Sequence, residues 1–262
     1  MTSMKLASLR SLLRAATAAT LSLAFVGCAS LPPDDPAARD AYYEANDPLE
    51  PINRAIFGFN EAADILILEP AANSYRLLVP DPLRDAVQAF ILNLLSPLVI
   101  ANELLQGNFE DAQVATGRFI TNTVLGAGGI ADVATVAGMP YEPEDFGQTL
   151  GVWGIGSGPY IVLPILGPSN LRDATGRAVD TVADPVRIWA YNTDNKGFLV
   201  GRAVTGAVDT RSRVITEVND LRRNSVDYYA AVRSLYRQQR QALINDSAAP
   251  QSTPEFPDFK SQ

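Results

Sequence analysis

The 262-residue chain contains no histidine, a single cysteine and only three lysines. Without imidazole it lacks the commonest general base and metal ligand, and every Ser-His-Asp arrangement is excluded. A Ser-Lys dyad would depend on Lys196 alone, because Lys5 and Lys260 lie near the two ends. Esterase and phospholipase chemistry is therefore disfavoured, and neither a catalytic group nor a metal or cofactor set emerges. Positive charge is also scarce. Removing residues 1–27 takes away Lys5, Arg10 and Arg14 and no acid, leaving 18 Lys plus Arg against 29 Asp plus Glu in 235 residues. An excess of acid on that scale argues against nucleic acid as a partner and against electrostatic adhesion to anionic lipid.

The one cysteine ends an export signal. Lys5, Arg10 and Arg14 form its positive region, residues 15–26 its apolar region, and Val26-Gly27-Cys28 its cleavage context. A twelve-residue apolar run is far short of the ~20 residues a membrane-crossing helix needs. Cys28 reads as a diacylglycerol acceptor, the alternative being an ordinary secretory signal with an incidental thiol. Phe25 stands where such signals usually carry Leu. Ala29 lacks the Asp that marks retention at an inner membrane, which favours the outer one. With Cys28 acylated no thiol remains for a disulfide.

Residues 28–45 are rich in Pro, Asp and Ala and read as a lipidated tether, residues 46–245 as one helical domain, and residues 246–262 as a disordered tail. At the domain start Asp47 suits an N-cap, Pro48 the first helical position and Glu50 a capping box. Leu49, Ile52, Ile56, Phe59, Ala63 and Leu66 then form one apolar stripe. Asn53 and Asn60 flank it, either as half-buried amides bonded to backbone or as a polar row lining a wet cavity. Helices are expected over 81–95, from Pro97 to Gly107, over 111–125, over 169–183 and over 196–245, the last broken near Asn224-Ser225. Nothing reads as a long strand.

Two stretches are uncharged: residues 86–102, broken by Pro97, and residues 146–171, dense in Gly and Pro. The first suits two short helices lying along a bilayer, with Leu94, Leu95, Leu98 and Ile100 as its apolar rim; a soluble core is the competing account. The second cannot be a transmembrane helix, and irregular backbone at membrane depth needs protein cover or a watery cavity. Trp153, Tyr160 and Trp189 suit a membrane interface or a core. Residues 126–129 (GAGG) follow a helix and read as a helix break, not a phosphate cradle. Glu142, Glu144 and Asp145 read as solvated loop acids, with an oxygen-ligated cation as the alternative.

Taken in order, NDPLEPINRAIFGFN (46–60), VPDPLRDAV (79–87), NELLQG (102–107), RFITNTVLGAGGIADVA (118–134), FGQTLGVWGIGSGPYIVLPILGPSNLRD (146–173) and DP (184–185) resemble the MlaA/VacJ lipoproteins of the Gram-negative outer membrane. The resemblance implies an all-α, ring-shaped body of mostly membrane-parallel amphipathic helices around an amphipathic channel. It implies removal of misplaced phospholipids from the outer leaflet, delivery to a periplasmic carrier feeding an inner-membrane ABC transporter, and association with a trimeric porin, without covalent chemistry. On that reading Asn53 and Asn60 line the channel, and Gly154, Gly156 and Gly158 belong to a mobile glycine-rich hairpin or gate over 151–158. A structural lipoprotein scaffolding a porin complex is the alternative.

Cys28→Ala is expected to abolish labelled-palmitate incorporation and to leave the protein uncleaved or soluble, because acyl chains are the proposed attachment. Metabolic labelling with membrane fractionation checks it.

Overall fold

The computed structural model describes residues 47–247, so Cys28, the signal, nearly all of the tether and most of the tail lie outside the described residues. The chain is all-helical but for one small hairpin. Helix α1 (Glu50–Ala63) runs through a π-helical turn (Asp64–Leu68) into α2 (Glu69–Leu78), so the first amphipathic stripe extends well beyond Leu66. Then follow α3 (Asp81–Gln106), α4 (Phe109–Val124), the short α5 (Val133–Val136) and α6 (Phe146–Val152). After the hairpin β1 (Tyr160–Leu163) and β2 (Gly167–Asn170) come α7 (Leu171–Ala183), α8 (Pro185–Asn192), α9 (Lys196–Arg213), α10 (Ile215–Asn224) and α11 (Tyr228–Ser247).

Four local expectations are corrected. Pro97 does not divide α3, which is continuous over 26 residues. A proline inside a helix forfeits one hydrogen bond and crowds the carbonyl four residues back, at ~3 kcal/mol. Here α3 packs along α4 over much of its length, so the helix survives. Asp47 does not cap α1, whose first turn carries Pro51 and no side-chain cap. Its carboxylate instead accepts from Asn53 at 2.7 Å, from Arg233 at 2.9 Å and from the Tyr229 hydroxyl. The 196–245 segment breaks a second time, at Val214 between α9 and α10. Gly147 and Gly151, read as part of an irregular stretch, are helical in α6.

The interior is polar. The largest fully buried side chains are Gln148, Glu103, Asn53, Thr149, Ser169 and Ser212, and alanine is the commonest buried apolar residue. A small apolar cluster of Tyr160, Val162 and Tyr229 joins the hairpin to α11, with Ile56, Phe57 and Tyr236 against it. Large apolar side chains point outward: Leu66, Ile67, Leu77 and Leu78 on the first rod, Val124, Leu125 and Val136 beyond α4. On α3 the buried face is Ala89, Asn93, Ser96, Val99, Asn102 and Glu103, while Leu94, Leu95, Leu98 and Ile100 are half-buried. Among the described residues α3 is the one helix long and apolar enough to cross a membrane, by length and composition.

Ion pairs and amides join the helices in place of apolar contact. Arg211 and Arg222, from α9 and α10, converge on Asp64 and Glu69 where the first rod passes through its π turn. At the α4–α5 corner Asp132 caps α5 through the Thr135 N–H and accepts from Arg118 and Asn122. Partial burial pushes the Asp132 carboxyl up, but the hydrogen bonds from Thr135, Asn122 and Arg118 outweigh it and hold it at about 2. A depressed carboxylate stabilises the fold above the unfolded pKa and loses that contribution as pH falls toward the folded value. Between pH ~4 and ~2 Asp132 should therefore give up about 1 kcal/mol, after allowance for its partial exposure. Acid unfolding of Asp132→Asn should be flatter than wild type across that window while its stability at pH 7 is lower, measurable by denaturant titration at each pH.

Candidate functional site

Residues 153–159, the hairpin and α11 enclose a cleft of about 1200 Å³, larger than the ~300–1,000 Å³ of most small-molecule pockets. Its lining pairs guanidinium groups (Arg172, Arg233, Arg237 and Arg240) with the apolar Ile155 and Ile244. The guanidiniums are ordered by carboxylates. Arg240 bonds Asp145 at 2.7 and 2.9 Å and contacts Asp173 at 2.8 Å; Arg172 pairs with Asp173 at 2.9 Å, and Arg233 with Asp47. Burial raises the Asp173 carboxyl, yet Arg240, the Tyr236 hydroxyl and Arg172 hold it below the usual carboxylate range. It therefore stays ionised and holds the guanidiniums it pairs with in place.

The hairpin beside this cleft is short, with β1 and β2 antiparallel from Tyr160↔Asn170 to Leu163↔Gly167. Its outer edge is completed by a helix. Asn53 donates to the Tyr160 carbonyl at 3.0 Å and accepts from the Val162 N–H at 2.9 Å. Asn60, two turns along α1, donates to the Leu163 carbonyl at 2.9 Å and accepts from the Ile165 N–H at 2.7 Å. Each amide thus supplies the donor and the acceptor that a third strand would have supplied. The second clasp sits over Ile165, whose φ of +67° is costly for a β-branched residue. Both asparagines are engaged with hairpin backbone, the arrangement expected of half-buried amides, and Asn53 is only 2% exposed.

The glycine-rich run is tethered at both ends. Trp153 donates its indole N–H to the Leu105 carbonyl at the end of α3 and packs edge-on against Phe146. Ser157 and Pro159 accept from the backbone N–H groups of Arg172 and Leu171. Between these ties Gly154, Ile155 and Gly156 are exposed. Gly154 has φ +85° with open space around it, Gly158 has φ +66° against Leu171, and Gly156 has neither positive φ nor a neighbour within 4 Å. The β-hairpin itself lies just beyond this run, at residues 160–170, not within it. Trp153 and Trp189 are about half exposed, whereas Tyr160 is buried. Glu144 and Asp145 are not simply solvated: Glu144 accepts from Gln106 and Gln148, and Asp145 caps α6.

Three of the cleft arginines lie on the C-terminal helix and the fourth, Arg172, at the start of α7, a grouping no motif in the sequence announces. Their periodicity (Arg233, Arg237 and Arg240 at steps of four and three) is the signal that places them on one face.

Polar residues inside, large apolar residues outside and a cleft lined by both guanidinium groups and hydrocarbon define this helical protein. The MlaA lipoprotein family model matches residues 45–243. The chain is 36% identical over 234 residues to the intermembrane phospholipid transport system lipoprotein MlaA of Escherichia coli, covering 87% of this chain and 88% of that protein. The Haemophilus influenzae protein of the same name is 34% identical, covering 92% and 94%, and an uncharacterized Rickettsia felis protein is 36% identical over 202 residues, covering 77% and 79%. A solved structure described as "Structural basis for maintenance of bacterial outer membrane lipid asymmetry" superposes with a TM-score of 0.67 at 35% identity, covering 76% of this chain and 99% of that one. The chain belongs to the MlaA lipoprotein family.

Helix α6, which leads into the run, meets α7 through glycine: a Cβ at Gly176 would lie 2.3 Å from the Gly147 backbone nitrogen. Backbone cannot yield as a flexible side chain can, so Gly176→Ala should destabilise by about 1–3 kcal/mol. A lower Tm and reduced steady-state abundance are expected, whereas Gly201→Ala, mid-helix with nothing within 4 Å, should lower neither and should gain about 0.5–1 kcal/mol from helix propensity.

Proposed function

We propose that this chain is an outer-membrane lipoprotein that takes mislocalised phospholipid from the outer leaflet along an amphipathic path and passes it to a periplasmic carrier serving an inner-membrane ABC transporter. The cleft carries this reading. Its fixed guanidiniums suit a phosphate headgroup, since Arg recognises phosphate through paired N–H donors, and its apolar residues suit acyl chains. The outward apolar residues support a body of mostly membrane-parallel helices embedded from the periplasmic side, ringed around that path and held by acyl chains on Cys28. Leu94, Leu95, Leu98 and Ile100 then belong to the lipid-facing rim. A trimeric porin is the proposed neighbour, the relation the family resemblance implies. In this scheme Asn53 and Asn60 shape the path indirectly, by holding the hairpin that borders it.

The run over residues 153–158 is the proposed gate, with Gly154, Gly156 and Gly158 as its pliable points. A photo-crosslinking side chain at Ile155 or Ser234 should capture phospholipid in cells, and one at the exposed, charged Glu217 should not; equal capture at all three would overturn the path. Substitution separates gate from turn. Gly154→Val forces a branched residue into a left-handed conformation, at about 1–3 kcal/mol, and should lower abundance as well as transport. Gly156→Val meets no atom, so it only stiffens the loop, by about 0.4–1 kcal/mol. That biases two balanced loop positions roughly two- to fivefold. Surface-exposed phospholipid should change at normal protein level, and an unchanged value would count against a moving loop.

A further inference from the structure

A second, smaller cavity lies where the C-terminal end of α3, the first turn of α4 and the loop between α5 and α6 meet. It leaves the centre of a water-sized sphere about 20 Å³, room for one ion or water. Glu103 of α3, Asp111 of α4 and Glu142 of the loop line it, and one carboxylate oxygen from each lies within 4.8 Å of the other two. Glu103 is only 2% exposed, and its Oε2 has no hydrogen-bond partner. A buried carboxylate oxygen left without a partner is strongly destabilising. The cationic group among the lining residues, Arg118, is turned away onto Asp132, Thr135 and the Met139 carbonyl. Glu103 thus holds an orphaned oxygen where two further carboxylates converge, and the Arg118 guanidinium is engaged elsewhere.

We propose that Glu103, Asp111 and Glu142 form a calcium site. Calcium takes oxygen ligands at about 2.3–2.6 Å in flexible geometry, which three carboxylate oxygens all within 4.8 Å of one another can supply, whereas magnesium demands a near-ideal octahedron at about 2.0–2.1 Å. The ligands come from three elements, so the ion ties the end of α3 and the start of α4 to the loop that leads into α6. That loop precedes the glycine-rich run, whose Trp153 is also anchored on the end of α3. A proton is the competitor for the same orphan. Burial, then the charges of Glu144, Asp111 and Glu142, pushes the Glu103 carboxyl up to about 8 against the Asn108 hydrogen bond. Arg118 and Tyr141 face the same space.

The test uses the lipidated full-length protein in detergent, stripped with chelator and then given calcium or magnesium chloride. Calcium should raise Tm by roughly 2–4 °C, a typical response of a domain this size to one ligand, and magnesium by less. The rise should vanish in Glu103→Gln and in Glu142→Gln, and Glu103→Gln should match or exceed the Tm of the chelated wild type. Glu142 is exposed, so its variant decides the matter even where Glu103→Gln fails to fold. No calcium response in the wild type would mean that a proton satisfies Glu103, and a response retained in both variants would place the ion elsewhere; either result overturns the site.

Discussion

The pairing of buried charge is the constraint on which the rest of this structure depends. Asp173 shows it most clearly. Placed where β2 passes into α7, it takes Arg172 from its own helix, Tyr236 and Arg240 from α11, and the Asn170 amide behind it. Arg240 continues to Asp145 at the start of α6. Remove the Asp173 carboxylate and Arg172 is left buried without its charge partner, while Arg240 keeps only Asp145. Such a loss costs several kcal/mol, though the intact network is worth far less relative to an apolar core. The network thus fixes which arrangement forms more than how stable it is.

Apolar residues outside explain why polar ones do the work inside. In water, helices associate to hide their apolar faces. A helix bathed in lipid gains little that way, and close packing with interhelical hydrogen bonds becomes the available cohesion. Under the function proposed above, this accounts for the small and polar inner face of α3, for the Gly147–Gly176 contact, and for the arginines that bridge α9 and α10 to the first rod. The same arrangement leaves a cleft whose lining interleaves guanidinium groups with hydrocarbon.

Much of the helical plan was legible locally. The apolar stripe from Leu49, the start of α3 at Asp81-Pro82, the glycine stop at Gly107 and the break near Asn224 all express short-range periodicity and capping, and each appears in the structure. The departures have one source. Pro97 signalled a break because its cost is local, but packing against α4 offset it. Asp47 looked like a cap because capping is local, but Asn53, Tyr229 and Arg233 outcompete the first turn for its oxygens. Asn53 and Asn60 announced their shared face through their seven-residue spacing. What they would touch, an open strand edge more than a hundred residues away, had no signature at either position.

The sequence by itself determined the helical class, the apolar stripes, the acid excess and the absence of imidazole chemistry. Those properties follow from residue type and spacing within one or two turns. Tertiary structure alone decided which carboxylate meets which guanidinium, that Arg172, Arg233, Arg237 and Arg240 wall one cleft, and that Glu103, Asp111 and Glu142 share one cavity. Side chains from α3, α4 and a later loop come within 4.8 Å only once the helices have packed. Electrostatic pairing depends on that distance and not on separation along the chain.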